Sequence, residues 1–308
     1  MSLYLGIDTS NYTTSVAVFD GEKMLQQKRL LPVKEGERGL RQSDAVFHHT
    51  KAYPELVNEL FKDINGEITA VGASFAPTTE KGSYMPCFLV GEGLGSALSD
   101  VLGVPFSRFS HQQGHIAAAL YSAGKTELFN ERFIAFHVSG GTTDAVLCEP
   151  AENSICITPL ASSNDLKAGQ AIDRIGVKMG LKFPAGAELE KLALQSEKTY
   201  KNKIKLYNGD CSLSGIENKC LKMLESGESS ADTAKFLLTY IADTISTMAD
   251  AALEKCGKLP LVFAGGVMSD KLIRGIITSR FEVYFAAPEY SCDNAAGIAY
   301  LTYRNNEG

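Results

Sequence analysis

The chain is 308 residues long and 44% hydrophobic, with 30 Lys and Arg set against 36 Asp and Glu for a formal net charge of −6. That length buries a substantial core, enough for two lobes or one large domain, and the charge excludes a protein whose whole surface grips nucleic acid. No apolar run approaches the roughly 20 residues that span a bilayer, and the opening stretch has no basic region followed by a hydrophobic one, so no membrane association and a cytoplasmic location are expected. Seven scattered cysteines without a C-x-x-C pair argue against a disulfide framework or a structural zinc knuckle and read as reduced, mostly buried thiols.

In chain order, "LYLGIDTSNYTTSVAVFDGEKMLQQKRLL" reads as an apolar strand ending at Asp8, a polar turn, a β-branched strand from Ser15 to Phe19, a tight turn at Asp20-Gly21 and a third strand. "HTKAYPELVNELFKDIN" and "YMPCFLVGEGLGSALSDVLG" carry helical spacing of apolar residues, and between them "GEITAVGASFAP" reads as a buried strand. The first half ends near residue 109, which predicts an N-terminal lobe over 1–109, completed by the last helix, and a C-terminal lobe over 110–308. "SHQQGHIAAAL" then sets His111 and His115 four residues apart, on one face of a helical turn. Two imidazoles so placed could grip one metal ion, or could be ordinary surface residues.

"ERFIAFHVSGGTTDAVLCEP" repeats the strand-turn-strand pattern around Ser139-Gly140-Gly141-Thr142-Thr143-Asp144. Two such units, about 130 residues apart, point to a duplicated α/β domain whose turns offer backbone N–H groups to an anion; the alternative is two unrelated hairpins. "GQAIDRIGVKMGL" and "GAELEKLALQ" read as helices. "EKTYKNKIKLYNG" gathers Lys198, Lys201, Lys203 and Lys205 with Tyr200 and Tyr207 interleaved, a pattern that usually marks a solvated loop and otherwise a local anion-binding patch. "ADTAKFLLTYIADTISTMADAALEKCG" is a long amphipathic helix with Gly257 beyond its end. In "LVFAGGVMSDKLIRGII" a strand, a glycine pair and a helix follow one another, the order that brings backbone close to a nucleotide at a helix N-terminus. A last strand, a loop ending in Asp293 and Asn294, and a closing helix complete the chain.

Taken together, "GIDTSNYTTSVAV", "HQQGHIAAAL", "VSGGTTDAVL", "AGQAIDRIGVKMGL", "FPAGAELEKLA", "CSLSGIEN", "FAGGVMSDKLIR" and "SCDNAAGIAY" resemble the successive signatures of the family formerly called O-sialoglycoprotein endopeptidase, peptidase family M22. That family includes the catalytic subunit that makes threonylcarbamoyladenosine in tRNA. The resemblance covers nearly the whole chain and implies an α/β, duplicated two-lobed fold of the actin, sugar-kinase and Hsp70 ATPase type. It implies that His111 and His115 bind one Fe or Zn ion together with Asp293. It further implies that Ser139, Gly140, Gly141 and Thr142 face phosphate, that Asp165, Gly169, Asp173, Gly186 and Glu190 lie by ribose and base, and that Gly265, Gly266 and Asp270 lie by the adenosine of ATP or an acyl-adenylate. A protease is disfavoured, because "HQQGH" lacks the glutamate of an H-E-x-x-H helix.

The chain also departs from that pattern. Where the family has a Cys-Asp-Glu-Thr run, this chain has Asn11-Tyr12-Thr13-Thr14, so Tyr12 and Thr13 occupy the positions of two carboxylates and cannot replace them as bases near neutral pH. Thr142 stands for a common histidine, Ser269-Asp270 for Ala-Asn, and "APTTEKGSYMPCFLVG" for a shorter loop. The resemblance is therefore to a diverged paralogue, with three expectations: a metal-dependent, nucleotide-binding threonylcarbamoyl or carbamoyl transferase acting on tRNA adenosine; a carbamoyltransferase acting on a small acceptor; or a regulatory paralogue that heterodimerises with a catalytic one. A sugar or acetate kinase is a fourth reading, one that would not need the histidine pair.

Overall fold

"SLYLGIDTS" is apolar on both of its faces, and the computed structural model shows why: β1 (Ser2–Ser10) is the middle strand of a sheet, buried at all but its first residue. The structure describes residues 1–10, 12–32, 40–62, 64–152, 154–291 and 295–307. β1 pairs antiparallel with β2 (Thr13–Phe19), which pairs antiparallel with β3 (Met24–Leu30) across the Asp20-Gly21 turn. On its other side β1 runs parallel to β4 (Glu67–Ala76), and β4 runs parallel to β5 (Phe106–Ser110). Helices α1 (Gln42–Phe61) and α2 (Phe88–Leu102) precede and follow β4, and Leu5, Ile7, Tyr53, Leu56 and Val71 are among the core residues there.

A second sheet repeats this topology. β6 (Phe133–Val138) is its middle strand, antiparallel to β7 (Thr143–Ala151) and parallel to β9 (Leu261–Ala264); β8 (Ser154–Ser162) and β10 (Val283–Phe285) are the edges. Counting strands in chain order, both five-stranded sheets run third, second, first, fourth, fifth, which is the signature of duplication. Helices α4 (Ala168–Lys178), α5 (Gly186–Ala193), α6 (Ser214–Glu225), α7 (Ser230–Cys256) and α8 (Lys271–Thr278) accompany this sheet, and α7 supplies a buried stripe that includes Leu237, Leu238, Ile241 and Ile245.

The chain divides into two compact units: residues 1–129, 150–156 and 289–308 form one, and residues 130–149 and 157–288 the other. In the first unit, α3 (His111–Ser122) packs on α9 (Ala296–Glu307). This contact needs glycine, since a Cβ on Gly297 would stand 1.8 Å from the Gly114 carbonyl oxygen. The six described cysteines are free thiols: Cys87, Cys148, Cys211 and Cys220 are buried, Cys256 is half-buried and Cys156 exposed. Among the described residues no helix is long and apolar enough to cross a membrane.

Candidate metal and nucleotide sites

The histidine pair owes its place to a capping box. Ser110, the last residue of β5, caps α3: its hydroxyl accepts from Gln113 N at 3.2 Å, and the Gln113 side chain accepts from Ser110 N at 2.8 Å. Two backbone N–H groups are thus satisfied reciprocally, and the helix begins at His111, with His115 one turn further on. The two Nε2 atoms lie 2.9 Å apart, at hydrogen-bond distance, so the rings converge on one point; as tetrahedral ligands about 2.0–2.1 Å from one ion they would stand roughly 3.3 Å apart.

The other nitrogen of His111, Nδ1, meets Asp8 Oδ1 at 2.9 Å. Asp8 is at the carboxyl end of β1 and is fully buried. A carboxylate there holds the Nδ1 proton, fixes the tautomer and leaves Nε2 as the ligand atom, the supporting arrangement behind most metal-binding histidines. The second Asp8 oxygen, Oδ2, is buried without a hydrogen bond, an orphan consistent with a cation close by. The two imidazoles and this carboxylate are donors of the kind a metal takes, although among the described residues no group of three His, Cys, Asp or Glu side chains is placed to hold an ion. Asp293 lies outside the described residues. Asp8 is the residue that sequence reasoning missed; its signal was a lone acid at the end of an apolar strand.

Nearby in the same unit, His49 is fully buried, its Nδ1 2.8 Å from Thr14 Oγ1. Burial depresses it to about 4, against which the Asp8 carboxylate acts, so this imidazole is neutral. Tyr12 is 40% exposed and Thr13 4% exposed at the start of β2. No carboxylate stands at either position.

The expected nucleotide residues all fall in the second unit, and most are joined to one another. Ser139–Thr142 follow the carboxyl end of β6, and Gly265–Gly266 follow that of β9, strands that are parallel neighbours with His137 opposite Ala264. The space outside the carboxyl ends of adjacent parallel strands is where open α/β sheets bind ligands. The Ser139 hydroxyl accepts from Gly141 N and Thr142 N at 3.2 and 3.1 Å, which sets the turn. A Cβ placed on Gly140, Gly141 or Gly266 would meet nothing within 4 Å, so backbone there faces open space. Gly265 differs: its φ is +99°, and a Cβ would stand 2.2 Å from the Val138 carbonyl oxygen. Gly266 starts a 3-10 turn to Ser269, and Asp270 caps α8, so the helix begins later than a strand-glycine-helix reading implies.

From the first turn a relay of contacts leads across three helices. Gly169 N donates to Ser139 O at 3.1 Å. One helical turn later, Asp173 Oδ1 accepts from Ala185 N at 2.8 Å, beside Gly186 at the start of α5. One turn on in α5, Glu190 Oε1 accepts from Lys271 N at 3.1 Å. Asp270 accepts from Ile273 N at 2.9 Å, and its carboxyl is pushed up to about 6, chiefly by burial and further by the Glu190 carboxylate. Asp165 stands apart: it accepts from the Ser212 hydroxyl and from the backbone N–H groups of Leu166, Leu213 and Ser214, and so caps the approach to α6. These donors hold it well below the usual carboxylate range in spite of burial. Asp144, at the far side of the first turn, is raised by burial, with Lys167 Nζ 3.9 Å away.

Paired sheets of this strand order place the protein in the actin, sugar-kinase and Hsp70 ATPase class. Solved structures agree on the fold. HypF of T.kodakarensis superposes with a TM-score of 0.64 at 13% identity, over 98% of this chain and 46% of that one. A ROK family glucokinase from Streptomyces griseus, in complex with glucose and AMPPNP, superposes with a TM-score of 0.54 at 13% identity, over 99% of this chain and 100% of that one. This chain thus spans about half the length of HypF. Within that class, the chain belongs to the TsaD family, tRNA N6-adenosine threonylcarbamoyltransferase, whose model matches residues 28–300. It is 27% identical to the tRNA N6-adenosine threonylcarbamoyltransferase of Pyrobaculum calidifontis (strain DSM 21063 / JCM 11548 / VA1), over 97% of this chain and 88% of that one. The family match begins beyond Asn11–Thr14, where this chain lacks the two carboxylates.

Proposed function

We propose that this protein is a metal-dependent, nucleotide-binding threonylcarbamoyl transferase whose acceptor is an adenosine of tRNA. The observation that carries the reading is family membership over residues 28–300; the converging imidazoles and the open glycine turns agree with it. His111 and His115, with Asp293, would hold one Fe or Zn ion, which as a Lewis acid polarises a carbonyl or phosphoryl oxygen. Asp8 keeps the His111 Nδ1 proton in place. The backbone at Gly140, Gly141 and Gly266 admits the phosphates of ATP or an acyl-adenylate, and the Asp173–Glu190–Asp270 relay would border its nucleoside. The reading also places the protein in the cytoplasm, where tRNA is modified.

General-base help is worth about a hundred- to ten-thousandfold, and neither Tyr12 nor Thr13 supplies a carboxylate. The isolated chain therefore transfers slowly, and a paralogue partner or a different acceptor restores turnover. Incubation with threonylcarbamoyl-adenylate and unmodified tRNA, followed by nucleoside digestion and quantification, tests this. Slow product formation that is lost in His115→Ala is the expected result. A chain that binds ATP and metal yet yields no product on tRNA supports the second reading, a regulatory paralogue, which the Asn11–Thr14 segment favours.

A further inference from the structure

Residues 196–207 have no helix and form no sheet, yet they are firmly held. Ser196 donates to Asp232 at 2.5 Å, the Tyr200 ring packs edge-on against Phe236 at 5.3 Å, and Asn202 gives both its backbone N–H and its side-chain amide to Asp243 Oδ2 at 3.1 and 3.0 Å. The three partners on α7 follow one another in the same order as the segment's own residues, so the chain runs along the helix as a strap. Leu206 packs against the core, and a two-residue turn at Asn208 and Gly209, φ +53° and +94°, locks Tyr207 to Asp210 through reciprocal backbone bonds.

This anchoring gives the lysines a pattern that the sequence alone left open. Asn202, Ile204 and Leu206 are partly buried, whereas Lys201, Lys203, Lys205 and Tyr207 alternate with them and are exposed, Tyr207 at 76%. Lys198 is engaged by Glu228 and Asp232; among the described residues Lys201, Lys203 and Lys205 make no ion pair. On a chain of net charge −6, three uncompensated cations in one row, ending in an exposed aromatic ring, are not accounted for by folding. Alternate residues of an extended chain are about 6.6 Å apart, close to the separation of neighbouring phosphates along a nucleic-acid strand, so the three lysines can meet successive phosphates. An aromatic face at the end of such a row is the usual platform for an unpaired base.

We propose that the strap from Lys201 to Tyr207 is a docking surface for single-stranded RNA, with phosphates on the three lysines and a base on Tyr207. The inference rests on the tRNA reading above for its biological partner, an unpaired loop, but the surface itself is defined by its own chemistry. The proposal is tested by fluorescence anisotropy of full-length protein with two probes, unmodified tRNA and an unstructured RNA dodecamer, across a salt series. Replacing Lys201, Lys203 and Lys205 together by Gln is expected to weaken dodecamer binding at least tenfold and to reduce the slope of log affinity against log salt by about 2, at roughly 0.7 per phosphate contact. Tyr207→Ala is expected to weaken binding about five- to a hundredfold with the slope unchanged. A control with the same charge change, the exposed Lys51, Lys62 and Lys81 of the first unit to Gln, should bind as the native chain does, and unchanged thermal melting shows each variant folded.

Equal dodecamer binding by the strap variant and the native chain overturns the proposal, as does binding to anionic lipid vesicles without RNA binding. If the dodecamer binds through the strap and tRNA does not bind, the surface stands and the tRNA reading falls. If tRNA binds equally well with and without the three lysines, the tRNA reading stands and the surface falls.

Discussion

Asp270, which caps α8, offers a direct test of what burying a carboxyl at that position costs. Its carboxyl rises from 3.8 to about 6, and at about 1.4 kcal/mol per unit the ionised form is disfavoured in the folded chain by about 3 kcal/mol. The sign follows from proton binding: the folded state holds the proton more tightly than the unfolded one, so stability is undiminished below about pH 4, declines as pH rises to about 6, and carries the full penalty above. Asp270→Asn removes the charge, keeps an oxygen for Ile273 N at 2.9 Å and is an equally good helix cap. The variant should therefore be more stable at pH 7.5 by roughly 2–3 kcal/mol, with the advantage vanishing near pH 4. The chain has no Trp, so thermal melting followed by circular dichroism from pH 4 to 8 is the suitable readout. Equal melting temperatures at pH 7.5, or an advantage that grows toward pH 4, would refute the reasoning.

Other outcomes follow from the same geometry. Asp8→Asn should lower metal affinity about 10- to 100-fold, as loss of a partner behind a ligating histidine does, read by metal content after dialysis against a graded chelator; full retention would remove Asp8 from the site. Gly266→Val should leave the fold intact, since the space is open, yet abolish thermal protection by ATP. Gly169→Ala should destabilise the second unit, because its Cβ would come within 2.7 Å of Gly140 N, and ligand-free melting detects this. Thr13→Glu, offered as a restored carboxylate, should cost stability by burying a charge at a 4% exposed site, whereas Tyr12→Asp on the exposed turn should not; melting of the two variants separates them.

Much of the first sheet was legible because β1 and β2 are continuous apolar and β-branched runs, buried on both faces, and the Asp20-Gly21 turn between β2 and β3 carries its own turn signal. Strand β8 was not, since its edge position leaves it largely half-exposed and it contains Pro159. Helix α6 was equally silent: its own sequence supplies no side-chain cap, and Asp165, which accepts from Leu213 N and Ser214 N at its start, comes from 48 and 49 residues earlier. The histidine spacing was visible in sequence, but the tautomer was not, because Asp8 lies 103 residues away from His111. Asp165 illustrates the same limit from the other side: a motif position can be read, while its hydrogen bonds are known only when distant elements meet.

The close approach of Gly114 and Gly297 has a thermodynamic consequence for the imidazoles. With no room for even a methyl group between α3 and α9, neither helix can roll or slide without separating the other from its sheet. The direction of the His111 and His115 rings is therefore decided by helix packing, together with Asp8, before any ion arrives. Rotamer freedom of these side chains is surrendered during folding rather than at capture, so binding an ion would reorder little of the protein and lose little conformational entropy. Two imidazoles aimed in advance by a pair of hydrogen-sized residues would take an ion as a rigid body.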